Sequence, residues 1–91
     1  MCLLSQYTLY PNFPNPFNSS TQIAYALPNV GHVTLSIFNL LGEEVTTLVD
    51  GAQSAGSHTV SFDGTGLASG VYLYRLQAEG FVQTRKMVML K

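Results

Sequence analysis

The chain has 91 residues, of which 46% are apolar and only 10% charged, and a net charge of −1. Surface scaling lets a chain this long bury about 60–65% of its extended surface, enough for one modest core and too little for a two-domain enzyme. The composition excludes disorder, the four basic residues exclude an electrostatic nucleic-acid footprint, and no apolar run reaches the roughly 20 residues that cross a bilayer.

No stretch of helical length keeps apolar residues at three- and four-residue spacing. Short alternating segments rich in Val, Ile, Thr, Tyr and Phe recur instead. Tyr7–Tyr10 is a candidate first strand. Tyr10–Ser20, with prolines at 11, 14 and 16, lacks ladder donors and predicts an ordered, extended lead-in whose Phe13 and Phe17 tuck against the fold. Thr21–Leu27 alternates Ile23, Tyr25 and Leu27 against polar or small residues, and Pro28–Gly31 ends it as a turn. His32–Asn39 follows with Val33, Leu35 and Ile37 on one face.

Leu40-Leu41-Gly42 is a tight connection to Glu43–Val49, and Asp50–Ala55 reads as a polar loop. Ser57–Asp63 alternates strictly, with His58, Val60 and Phe62 on one side, before the turn Asp63-Gly64-Thr65-Gly66. Val71–Ala78 puts Tyr72, Tyr74 and Leu76 on one face. Glu79-Gly80 predicts a two-residue hairpin into Phe81–Leu90, where Arg85 and Lys86 occupy both faces in succession and call for a bulge or an exposed edge. The expected fold is all-β, an immunoglobulin-like antiparallel sandwich of about seven strands. Its expected core is Ile23, Tyr25, Leu27, Leu35, Ile37, Val60, Phe62, Tyr72, Tyr74 and Leu76.

No catalytic constellation assembles from this inventory. Glu43, Glu44, Asp50, Asp63, Glu79, His32 and His58 lack a Gly-x-Ser-x-Gly elbow and zinc spacing, and Asp63-Gly64-Thr65-Gly66 offers one carboxylate where calcium loops use several. Cys2 is the single cysteine, so neither an internal disulfide nor a cysteine-ligated metal cluster is expected. Neither metal nor cofactor is expected, and a carbohydrate platform would need Tyr72 and Tyr74 on the solvent face. Met1–Leu4 lacks a charged n-region, so the chain is expected either to be cytoplasmic or to be a piece of something longer.

Four blocks, in order, carry a resemblance. Leu9-Tyr10-Pro11-Asn12-Phe13-Pro14-Asn15-Pro16-Phe17-Asn18 with Ser20-Thr21-Gln22-Ile23 resembles the opening of the type A C-terminal sorting domain of the type IX (Por) secretion system. Ile37-Phe38-Asn39-Leu40-Leu41-Gly42-Glu43-Glu44-Val45 is similar to that family's V-Y-N-x-x-G-Q-E-V stretch, and Gly56–Gly64 to its G-x-H-x-V-x-W-D-G segment. Leu67–Leu76 with Thr84–Lys91 resembles its L-x-S-G-V-Y-x-Y-R-L … K-K-x-x-x-x-K close. Ser19, Phe38 and Phe62 depart from the commoner proline, tyrosine and tryptophan.

The resemblance implies a non-catalytic sorting signal, residues 10–91, behind a residual linker, 1–9, to an upstream covalent cargo. It implies sorting-motif residues at Pro14, Asn15, Pro16, Phe17, Asn18, Gly70, Tyr72, Tyr74, Lys86 and Lys91. The implied partners are the type IX outer-membrane translocon, its shuttle proteins and a sortase-like signal peptidase, with no nucleic acid and no membrane insertion. Transit through the periplasm to the surface or the medium, in Bacteroidota and related phyla, goes with it. The alternative is an immunoglobulin-like scaffold module of flagellar hook-capping type, which shares the later blocks.

Overall fold

The computed structural model describes residues 7–90; Cys2 and Lys91 therefore lie outside the described residues. Seven strands follow one another: β1 Thr8–Leu9, β2 Ser20–Leu27, β3 Gly31–Asn39, β4 Glu44–Gln53, β5 Gly56–Asp63, β6 Gly70–Ala78 and β7 Phe81–Met89. No helix occurs among the described residues. One sheet has the order β1-β2-β5 and the other β4-β3-β6-β7, with every strand pair antiparallel. This is the expected all-β sandwich. Its fourth strand pairs with the third, whereas the constant-type immunoglobulin arrangement puts it beside the other sheet's strands.

Alternation explains why the two sheets bury the faces they do. Leu9, Ile23, Tyr25, Leu27 and Phe62 enter the core from the first sheet, and Val33, Leu35, Ile37, Tyr74, Leu76, Met87 and Met89 from the second. Tyr72 follows the same alternation, and its hydroxyl donates to the Ala68 carbonyl at 2.7 Å. A tyrosine near the start of the sixth strand, bonded to backbone four residues upstream, is the tyrosine corner of immunoglobulin-like sandwiches.

Three expectations need correction. Phe13 does not tuck in: it is 78% exposed, because its backbone pairs with Gln22 while its ring faces outward. Asp50–Ala55 is a loop only at Ser54 and Ala55, since β4 runs to Gln53, with Gly51, Ala52 and Gln53 opposite Val33, His32 and Gly31; the β3 ladder holds Gly51 and Ala52 in the strand despite their low strand propensity. Val60 only packs against the core at half burial, whereas Leu9, Val33, Val49, Met87 and Met89 belong to it. Of the bulge or exposed edge anticipated at Arg85 and Lys86, the structure has the edge: β7 closes its sheet, and its register with β6 is unbroken from Gly70↔Met89 to Ala78↔Phe81. The irregularities lie between β3 and β4, at Leu35/Ser36 and Ile37/Phe38.

Candidate recognition surface

The lead-in is tied to both sheets. Next to β2, the Tyr10 N–H donates to Ala24 O, and Phe13 and Gln22 exchange two backbone bonds of 3.0 and 2.9 Å. It then crosses to β7, where Phe17 N–H donates to Val88 O at 3.0 Å and Leu90 N–H to Phe17 O at 2.8 Å. The Asn15 carboxamide adds to this by accepting the Val88 N–H at 3.1 Å. Ser19 O accepts the Gly64 N–H at 2.7 Å. The Phe13–Pro14 and Asn15–Pro16 peptide bonds are both cis.

Side chains beneath the lead-in fix its path. The Phe17 ring is buried edge-on against Phe62, 6.2 Å between centroids and 75° between planes. Tyr74, fully buried, donates its hydroxyl to Tyr10 O at 2.8 Å, and Arg85 donates Nε to Leu9 O at 2.6 Å. Burial pushes the Tyr74 hydroxyl above its usual pKa, with the Asn12 backbone and the Arg85 charge opposing. A polar knot completes the anchorage: Asn12 Nδ2 donates to Thr21 Oγ1 at 3.0 Å, and Thr21 Oγ1 donates to Pro14 O at 2.8 Å. Asn12 Oδ1 is buried and lacks a partner among the described residues.

The fold therefore gathers most of the anticipated motif residues at one end of the sandwich. Pro14, Asn15, Pro16 and Asn18 are exposed there, and Phe17 and Tyr72 are buried. Gly70, at φ 149°, opens β6 opposite Met89. Tyr74 lies deeper, within the core. Lys86 stands apart from the lead-in on the outward face of β7, while Arg85 takes the inward face. Lys91 lies outside the described residues. Sequence reasoning missed Asn12, Thr21 and Arg85 as anchors; the paired basic residues at 85 and 86 carried a signal for the last of these, and Asn12 had only its place between prolines.

β7 is an edge, but not along its whole length. Val88 and Leu90 turn backbone groups toward the lead-in, which covers them. By the two-residue period of a strand, Val82, Thr84 and Lys86 turn theirs to the same side, where no strand among the described residues pairs with them.

The histidines have local partners. His58 stacks on Tyr25, with centroids 5.3 Å apart, and its Nε2 lies 2.8 Å from Ser54 O. His32 Nε2 is 3.0 Å from Asp50 Oδ1 on the exposed face. Among the described residues no three His, Cys, Asp or Glu side chains gather to hold a metal ion. Asp63 closes an Asx turn, accepting from Thr65 Oγ1 and Thr65 N–H.

A protein-family model described as "Secretion system C-terminal sorting domain" matches residues 9–90. No curated protein matches the chain.

Proposed function

The chain belongs to the type IX secretion C-terminal sorting domain family, and from that membership we propose that it is the folded export address of an upstream cargo. The family is one of sorting signals and is not catalytic. It implies interaction with the type IX machinery and export toward the outer membrane and the cell exterior.

The cargo reaches the periplasm behind an ordinary signal peptide, and residues 1–9 lead from it into the domain, the last two already paired with β2. Translocon and shuttle proteins recognise the end of the sandwich where the lead-in meets β7. A sortase-like peptidase then removes the domain, and the cargo is released or attached to surface lipopolysaccharide. Exposed Pro14, Asn15, Pro16 and Asn18 make contact; Phe17, Gly70, Tyr72 and Tyr74 shape the surface they stand on; Lys86 and Lys91 supply charge.

The observation that carries this reading is the match over residues 9–90, joined to the convergence of the first and last motif blocks through the Phe17–Met89 bridge. The test is a reporter fused between a signal peptide and residues 1–91, in a host shown to export other sorting domains. The reporter is expected in the medium or on the surface. A folded, intact fusion retained in the periplasm would refute the reading.

A further inference from the structure

The β3–β4 hairpin ends in Asn39-Leu40-Leu41-Gly42-Glu43, and its two leucines are 66% and 83% exposed. Single exposed leucines are ordinary; an adjacent pair on a locked tip is not. Asn39 Oδ1 accepts the Leu41 N–H at 2.9 Å and the Glu43 N–H at 3.0 Å, and its Nδ2 donates to Glu43 Oε1 at 3.0 Å. In the backbone, Asn39 N–H donates to Glu43 O and Gly42 N–H to Asn39 O, each at 3.0 Å. Gly42 supplies the left-handed φ of 84° that the turn needs.

None of these bonds uses a leucine side chain, so the turn itself does not require them. The same bonds hold the pair in one geometry before any partner arrives, which lowers the ordering cost of binding. Asn39 pairs with Tyr72 and Tyr72 with Met87. The tip therefore projects from the end of the sandwich that also carries the lead-in and the close of β7.

We propose that Leu40 and Leu41 form a docking knob for a protein partner, an apolar socket rimmed by basic residues in the export machinery; this rests on the sorting reading above. The charge of the tip selects that occupant. Glu43 and Glu44 follow the leucines directly and are both exposed, while Arg75 of the adjacent β6 is held over the Phe38 ring, 4.5 Å from its centroid. Anionic headgroups would be repelled by the two carboxylates, whereas a basic rim would be drawn to them.

The test uses the reporter fusion with three variants. L40S/L41S is expected to melt within about 2 °C of wild type, because exposed side chains contribute little to stability. Its export should fall about tenfold or more, as when an anchor at an interface centre is truncated. E44K should lower export in the same direction. Val30→Ser, at the opposite end and 72% exposed before substitution, should leave it unchanged. Undiminished export of a folded L40S/L41S fusion overturns the knob and leaves the sorting reading standing; retention of the wild-type fusion instead removes the sorting reading, and the knob with it. Equal loss in Val30→Ser also overturns it. So would leucine-dependent co-sedimentation of the purified domain with phosphatidylglycerol vesicles, or a leucine-dependent dimer, since each names a different occupant.

Discussion

Replacing Tyr74 by Phe removes one oxygen atom and, with it, the bond that joins the core of β6 to the lead-in. The hydroxyl donates to Tyr10 O across 64 residues of sequence at 2.8 Å, from a ring that is fully buried. A hydrogen bond of this kind contributes about 1 kcal/mol net, and in a domain of this size that lowers the melting temperature by about 4–8 °C. Tyr72→Phe provides the comparison: it loses a bond of similar length to Ala68 O, only four residues away, and should cost about the same. Where the loss is felt should differ. Native-state hydrogen exchange of Tyr74→Phe is expected to speed up at the amides of Tyr10, Phe13 and Phe17, which the lead-in bonds protect. In Tyr72→Phe the faster amide should be Leu67, bonded to Gly64 O in the 64–69 turn. A Tyr74→Phe domain that melts within about 1 °C of wild type, or that loosens at the turn and not at the lead-in, would refute the anchoring role.

Gly64→Ala should destabilise by about 1–3 kcal/mol through overpacking, because the added Cβ would stand 2.5 Å from Met89 Sδ and 3.5 Å from a Phe17 ring carbon. In denaturant melts, the cost of Gly64→Ala together with Met89→Ala should be less than the sum of the two. Gly70→Ala meets open space, so its cost, about 1–3 kcal/mol, should come from backbone conformation alone and persist when neighbouring side chains are trimmed. Desolvation by burial raises both Tyr25 and Tyr74. The folded state thus favours the neutral phenol: this stability is fully present below the unfolded tyrosine value near 10 and is lost as pH rises through the folded values. Stability measured above pH 10 should fall less steeply in Tyr74→Phe than in wild type.

The sandwich was legible because each central strand alternates cleanly. Ile23, Tyr25 and Leu27, and likewise Tyr72, Tyr74 and Leu76, declare a face without help from neighbours. What the sequence did not disclose were matters settled by long-range partners. Phe13 and Phe17 are the same residue in the same proline-rich setting. The Phe13 backbone pairs with β2 and that of Phe17 with β7, which sends one ring out and the other in. Arg85 on an inward face leaves the register ambiguous in the sequence, and its partner there, Leu9 O, which accepts from Nε, lies 76 residues away. β4 ran past its expected end because Gly51 and Ala52 lack strand propensity but find a ladder already formed by β3.

The distribution of burial constrains how such an address can be read. Phe17, Tyr72 and Tyr74 offer a partner almost nothing to touch, since their rings are 2%, 8% and 0% exposed. Their hydroxyls and contacts are spent within the domain, on Ala68, Tyr10 and Phe62. A short linear motif read by a receptor would present its large side chains, as extended peptides do when they bind in pockets. Here Phe17, Tyr72 and Tyr74 face inward, and what remains outside is a proline-rich course carrying the exposed Tyr10 and Phe13 side chains, pinned at Tyr10, Phe13, Phe17 and Ser19, beside a partly covered strand edge. Phe17, Tyr72 and Tyr74 therefore fix the shape of that surface from beneath. Under the proposed function the export machinery would recognise a folded end of the sandwich, and unfolding the domain would erase the address while every motif residue was still present.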